Sequence, residues 1–321
     1  MLGQSSPSVG TTGAAAMNEK FDAIVVGAGP AGLAAAVYTG RARLKTLVLE
    51  KGVPGGQILL TDLVENYPGF PDGVVPFQLM DNFRRHAEKF GAKIITDEAK
   101  KIQKKDDFLS VLGSRGDYRA RAVIIASGSS YRKLGIPGEE RLTGKGVSYC
   151  ATCDGAFFKD KEVAVVGGGD NALTEALFLT KFCRSVKIIH RRDQCRAVKI
   201  LQERVFANEK IEVLCNSVVA EISGEDSLEA IILKNVKDDK TRRLKLDGLF
   251  ISIGTDPNSA FVKALVELNE SGEIKVSQTM ATSQPGIFAC GDVTDACPEQ
   301  MATAVGTGVA AALAVNAYLS Q

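Results

Sequence analysis

The chain has no tryptophan and only two histidines, which argues against a zinc centre built on imidazoles. It lacks a charge excess of either sign. With 39 basic and 38 acidic residues, no overall field draws it to nucleic acid or to an anionic membrane. No apolar run is expected to approach the roughly 18 residues that a bilayer crossing needs, so no membrane partner is expected. The seven cysteines are an odd number in a long chain, unlike the framework of a small secreted domain. Cys183, Cys195, Cys215, Cys290 and Cys297 are scattered without metal-ligand spacing. No metal is expected, and a reducing, cytoplasmic setting fits best. Residues 1–16 are uncharged and rich in Gly, Ser, Thr and Ala, without the basic start and apolar core of a signal peptide. They are expected to be a disordered extension, with Met17 as the native start. The length of 321 residues implies two domains.

What the chain does have is an internal repeat. Ala23-Ile-Val-Val-Gly27-Ala-Gly29-Pro30-Ala31-Gly32 matches Val163-Ala-Val-Val-Gly167-Gly-Gly169-Asp170-Asn171-Ala172 at a shift of 140 residues. Each copy reads as a buried parallel strand, a glycine turn and a helix packed on the sheet. Glycine at the first two turn positions lets the backbone turn tightly and approach a pyrophosphate, which then sits at the helix N-terminus. One such loop alone is often only packing. Two in register, each followed 23 positions later by a distinctive residue, point to two dinucleotides. The fold class expected is α/β, with two dinucleotide-binding, Rossmann-like domains.

The residues at those later positions differ. Glu50 ends the second strand of the first copy, where a carboxylate accepts hydrogen bonds from a ribose with free hydroxyls, as in FAD or NAD. The second copy has His190, Arg191 and Arg192 there, then Arg196, and guanidinium groups suit a 2′-phosphate. The second nucleotide is therefore read as NADPH; a solvated basic turn is the plainer alternative. A third segment, Gly286 to Gly291-Asp292, reads as a short buried strand, and the small-residue helix after Val305 either approaches a ligand or merely closes the core.

Between the two glycine loops lies Cys150-Ala-Thr-Cys153-Asp154. Such a pair cycles between dithiol and disulfide, its thiols commonly have a lowered pKa, and Asp154 is placed to take and return the proton. Half of a zinc site or a chance pair are the alternatives, and no second pair with suitable spacing supports the first.

These residues, with Gly55-Gly56-Gln57, Glu65-Asn66-Tyr-Pro-Gly69 and Gly254-Thr-Asp-Pro-Asn258, resemble the low-molecular-weight thioredoxin reductases from about Phe21 to Leu319. The resemblance implies that the second domain is inserted into the first. Residues 17–133 and 247–321 would hold FAD, and 134–246 would carry NADPH and the redox pair. It places Gly27, Gly29, Pro30, Ala31, Gly32, Glu50, Gly56, Gln57, Asn66, Gly128, Gly291, Asp292, Gln300, Met301 and Ala302 at FAD. Gly167, Gly169, Asp170, Asn171, Ala172, His190, Arg191, Arg192 and Arg196 fall at NADPH. Cys153 would be the flavin-side thiol, Cys150 the one that attacks thioredoxin, and Asp154 the acid–base. A cytoplasmic homodimer is implied, as is a rotation of the inserted domain about hinges near Leu134–Pro137 and Leu246–Gly248. Phe157, Phe158 and Lys145 are either a thioredoxin dock or, for the aromatics, core.

Two positions depart from the family pattern. Glu299 stands where an arginine is common, putting an anion near the expected flavin site, and Ala156 stands where an aromatic is frequent. Competing readings are the flavoprotein subunit of an alkyl hydroperoxide reductase, which carries a longer N-terminal region, a reductase fed by ferredoxin or another donor, and a slow redox sensor.

Overall fold

The computed structural model describes residues 19–321 apart from Thr61, Asp62, Glu65, Asp106 and Cys297. The extension expected over 1–16 and the start at Met17 lie outside the described residues. The chain divides into two compact units. One takes the residues up to Gln57 with Phe77–Ser129 and Pro257–Gln321; the other takes Ile58–Pro76 and Ser130–Asp256.

The first unit is built on a sheet in the order Lys93–Thr96, Thr46–Glu50, Lys20–Val26, Asp117–Ile125, Leu109–Gly113, Ala99–Lys104. Ile287–Ala289 pairs in parallel with the end of Asp117–Ile125. That long strand shows why sequence pattern and sheet type go together. Its first half alternates buried and exposed residues where it pairs antiparallel with Leu109–Gly113, and its second half is buried throughout where its neighbours are parallel. Ile24, Leu47, Leu49, Val123, Ile125 and Val293 lie in the core of this unit.

The second unit has an all-parallel sheet in the order Ile211–Leu214, Ser185–Ile189, Glu162–Val166, Gly248–Ile251, Val147–Ser148, and a separate antiparallel sheet of Ser217–Ser223, Ala230–Asn235 and Thr241–Lys245. The sequence repeat survives as register. Ala23 pairs opposite Thr46 and Val163 opposite Val186, the same pair displaced by 140 positions.

The chain crosses between units at 57/58, 76/77, 129/130 and 256/257. The last crossing falls ten residues past the 246/247 expected, and Gly248–Ile251 is a central strand of the second sheet. Nor is Leu134–Ile136 a free connection within its unit. The buried Glu139 carboxylate accepts the N–H groups of Leu134 at 2.9 Å and Gly135 at 2.7 Å, and the Tyr149 hydroxyl at 2.8 Å.

The helix Met301–Leu319 carries no charged residue, and by length and composition alone it is long and apolar enough to cross a membrane, contrary to the reading that no such run exists. Its apolarity comes from alanine, glycine and valine rather than large side chains. The stripe Ala304, Gly308, Ala311, Ala312 and Val315 is buried, with Gly308 tight against the Ala31 carbonyl of the helix Pro30–Arg41, so one face of the helix packs on its own unit.

Candidate active site

Both glycine turns separate packing from ligand space. In the first, Gly27 has φ +106°, and a side chain there would collide with the Ala126 carbonyl; one at Gly32 would collide with the Gly27 carbonyl. In the second, a side chain at Gly167 would strike the Ser252 carbonyl and the Ala172 methyl. Gly29 and Gly169, in contrast, face open space, with nothing closer than 4.0 Å at the first and nothing within 4 Å at the second. Gly29 and Gly169 are therefore unexplained by packing, and they are the positions at which a pyrophosphate would approach the backbone. The helices Pro30–Arg41 and Asp170–Leu179 start directly after them, with Pro30 at the first helical position of the former.

Glu50 braces the first loop. Its two carboxylate oxygens accept the N–H groups of Ala28 at 2.8 Å and Gly52 at 2.9 Å, leaving lone pairs for ribose hydroxyls. The corresponding stretch of the second unit is organised differently. His190 is buried with its ring against Gly168, and its Nε2 lies 3.0 Å from the Gln194 carbonyl. Burial, and then the neighbouring arginines, hold its pKa below the usual imidazole range, so the ring is a neutral spacer. The N–H of Arg196 donates to the Gly168 carbonyl at 2.6 Å, tying the arginine loop to the glycine loop. Arg191, Arg192 and Arg196 are exposed, and among the described residues none makes an ion pair within the protein. Asp170 accepts the Val198 N–H at 2.8 Å, Ala172 is buried under Gly167, and Asn171 is exposed.

Further residues of the first unit fit a bound nucleotide. Gln57 donates to the Ser129 carbonyl at 2.8 Å, while its Oε1 is buried without a hydrogen-bond partner, an acceptor left for a ligand donor. A side chain at Gly56 would press on the Gly29 backbone, and Gly128 has φ +66° with open space beside it. Gly291 donates its N–H to Thr307 at 3.0 Å. Beside it, burial first and the charge of Glu299 second push the Asp292 pKa up to about 7. Gln300 caps the helix that begins at Met301 and Ala302, its carbonyl accepting the Ala304 N–H at 2.9 Å. Asn66 lies in the segment 58–76, which packs with the second unit.

A disulfide joins Cys150 and Cys153, whose Cα atoms are 5.3 Å apart, over the single helical turn Ala151–Asp154. Cys150 Sγ contacts the Thr152 hydroxyl at 3.3 Å. The turn follows the edge strand Val147–Ser148, and the Ser148 hydroxyl donates to Asp154 at 2.6 Å. Asp154 and Ser148 line a cavity of about 240 Å³ together with Lys145, Phe157, Lys161 and Asp247. The two aromatics divide. Phe158 is core, packed edge-on to Phe250 with ring centroids 5.2 Å apart, while Phe157 is 39% exposed at the cavity. Elsewhere Cys183 is buried, its thiol pushed up to about 11, and burial also raises Cys195 and Cys215, so these are poor nucleophiles.

The model of the pyridine nucleotide-disulphide oxidoreductase family matches residues 21–308. The chain belongs to that family. It is 48% identical over 95% of its length to a thioredoxin reductase of Streptomyces clavuligerus, covering 95% of that protein. It is 46% identical over 94% of its length to one of Bacillus subtilis strain 168, again covering 95% of it. The crystal structure of the thioredoxin reductase from Streptococcus pyogenes MGAS5005 superposes with a TM-score of 0.89 at 44% identity, over 94% of this chain and 99% of that one. For a member of the family, three buried or half-buried polar residues around the disulfide went unread in the sequence: Glu139, Ser148 and Glu175. Ser148 precedes the cysteine pair and had the signal of proximity. Glu175 sits in a helix of ordinary composition; burial pushes its carboxyl up to about 7, and its Oε2 has no hydrogen-bond partner.

Proposed function

We propose that the chain is an NADPH-dependent thioredoxin reductase. The first unit would hold FAD through Gly29, Glu50, Gln57, Gly128, Gly291 and Asp292, with the Gln300–Ala302 turn as a further contact. The second would hold NADPH at Gly169, with Arg191, Arg192 and Arg196 on the 2′-phosphate. The observation that carries the reading is the Cys150–Cys153 disulfide, with Asp154 beside it, in the same unit as a glycine cradle flanked by unpaired arginines.

When bound, FAD supplies the two-electron relay between nicotinamide and disulfide. The chain's own residues manage the thiol exchange. The Cys150 thiol gives its proton to the Asp154 carboxylate as Cys150 Sγ bonds a thioredoxin sulfur and the thioredoxin disulfide breaks. The departing thioredoxin thiolate takes that proton from Asp154. Cys153 then attacks Cys150 Sγ, re-forming the disulfide, and its proton passes to the second thioredoxin thiolate. Two electrons and two protons are transferred. Phe157 and Lys145 at the cavity offer thioredoxin an apolar and a cationic contact. His190 acts by spacing the arginine loop, not by touching phosphate. The reading also makes the enzyme a cytoplasmic homodimer, to be checked by light scattering at twice the chain mass.

The test is anaerobic stopped-flow absorbance of the flavin band, with NADPH or NADH and then thioredoxin. Fast bleaching by NADPH and reoxidation by thioredoxin are expected, with NADH slower by at least about tenfold, the worth of one charge-assisted contact. In Cys150→Ser, thioredoxin turnover should vanish. Protein purified without flavin, or a Cys150→Ser variant that still reduces thioredoxin, sinks the reading.

A further inference from the structure

We infer that Ser148 is the positioning residue for proton transfer in thiol–disulfide exchange, acting through Asp154. The inference rests on the reading of Cys150 and Cys153 as the working pair. Ser148 is the last residue of the edge strand Val147–Ser148, and it is buried. The strand's register against Leu249–Phe250 sets its place. From there its oxygen makes contacts at both ends of the redox turn. It accepts the Cys150 N–H at 3.1 Å and donates its one proton to Asp154 Oδ2 at 2.6 Å; the Cys150 carbonyl, at 3.4 Å, is the weaker claimant on that proton. One hydroxyl thus holds both the residue that opens the turn and the carboxylate that closes it.

The neighbouring side chain reinforces this placement. Tyr149 packs its ring against Tyr131, with centroids 5.1 Å apart, and donates its hydroxyl to the buried Glu139 at 2.8 Å. The two residues before Cys150 are therefore both anchored by their hydroxyls, and little freedom remains in the approach to the turn. A carboxylate that must collect a proton from one sulfur and return it to another needs a fixed direction. Without Ser148 the carboxylate loses the donor at Oδ2 that helps to fix its plane, and its charge is no longer spread into that hydroxyl. The field on a thiolate then becomes more repulsive, and the thiol pKa rises.

The test is a double-substitution cycle on the full-length holoprotein: Ser148→Ala, Ser148→Thr, Asp154→Asn and Ser148→Ala/Asp154→Asn. The reduced pair is pulsed with iodoacetamide from pH 5 to 10, and labelling at Cys150 and Cys153 is read by mass spectrometry. Ser148→Ala is expected to move the labelling midpoint up by at least about half a pH unit, Ser148→Thr to keep the wild-type midpoint, and Ser148→Ala to add nothing once Asp154 is Asn. Single-turnover reoxidation by thioredoxin should slow about tenfold in Ser148→Ala, part of the 10²–10⁴ that a positioned acid–base supplies. An unshifted Ser148→Ala profile, an equal shift in the Asp154→Asn background, or a Ser148→Thr variant that behaves as Ala overturns the inference. Labelling needs neither nicotinamide nor thioredoxin. A protein that obeys the cycle yet fails to turn over thioredoxin keeps Ser148 in this role and sinks the proposed function instead.

Discussion

Asp292 holds a proton up to about pH 7, because water is removed from it and because Glu299 adds a like charge. The second cause comes from a position where the resemblance implies an arginine and this chain has Glu299. If Asp292 lies at the flavin, the flavin absorbance of the purified protein should show a transition near pH 7 that Asp292→Asn abolishes. Glu299→Gln should move it down by about half a unit to one unit, the effect of a single charge through partly solvated space, and Glu299→Arg further. A transition that stays in place in Glu299→Arg would show that burial alone sets it. The signal for this pair was visible in the sequence as a departure from the family pattern. Its consequence was not, because Asp292 and Glu299 are brought together by the 3₁₀ turn Gly291–Val293 and the approach to the last helix.

At the scale of elements, the small residues of the last helix are a packing device. Its contact with the helix Pro30–Arg41 is closest at Gly308, where an added methyl meets the Ala31 backbone, whereas Gly306 faces open space. Gly308→Ala should cost about 1–3 kcal/mol by forcing the helices apart, and Gly306→Ala should gain about 0.5–1 kcal/mol from helix propensity. Urea midpoints of the two variants should therefore move in opposite directions; equal shifts would refute the close approach. The strand–turn–helix units and Glu50 were legible because a period and a fixed spacing carry them. The same pattern placed His190 and the arginines at the second site, but gave no sign that the imidazole would be buried as a spacer. Glu139 and Ser148 were not legible either. Their partners are chosen by the register of Val147–Ser148 and by the fold of Leu134–Ile136 around a carboxylate, and neither leaves a periodic trace. The last crossing has no sharp sequence signal for a related reason: Gly248–Ile251 is a short apolar run that reads equally well in either sheet.

Across the whole molecule, each unit has its own apolar core and, among the described residues, a half-buried acid with a raised pKa, Asp292 in the first and Glu175 in the second. Both pKa values are about 7 in the folded protein and near 4 in the unfolded chain. Between those limits the folded state binds more protons than the unfolded one, so stability falls as the pH rises through the window and levels off above it. The loss is at most about 4 kcal/mol for Asp292 and about 3 kcal/mol for Glu175, since each unit of pKa corresponds to about 1.4 kcal/mol. Units with separate cores, joined by four chain crossings, should melt as two transitions in the cofactor-free protein. Raising the pH from 5 to 8 should lower both. Asp292→Asn should then flatten the pH dependence of one transition, and Glu175→Gln that of the other, as followed by calorimetry. A single transition to which both substitutions contribute would mean that the two cores unfold together, and the duplication seen in sequence and register would then not extend to stability.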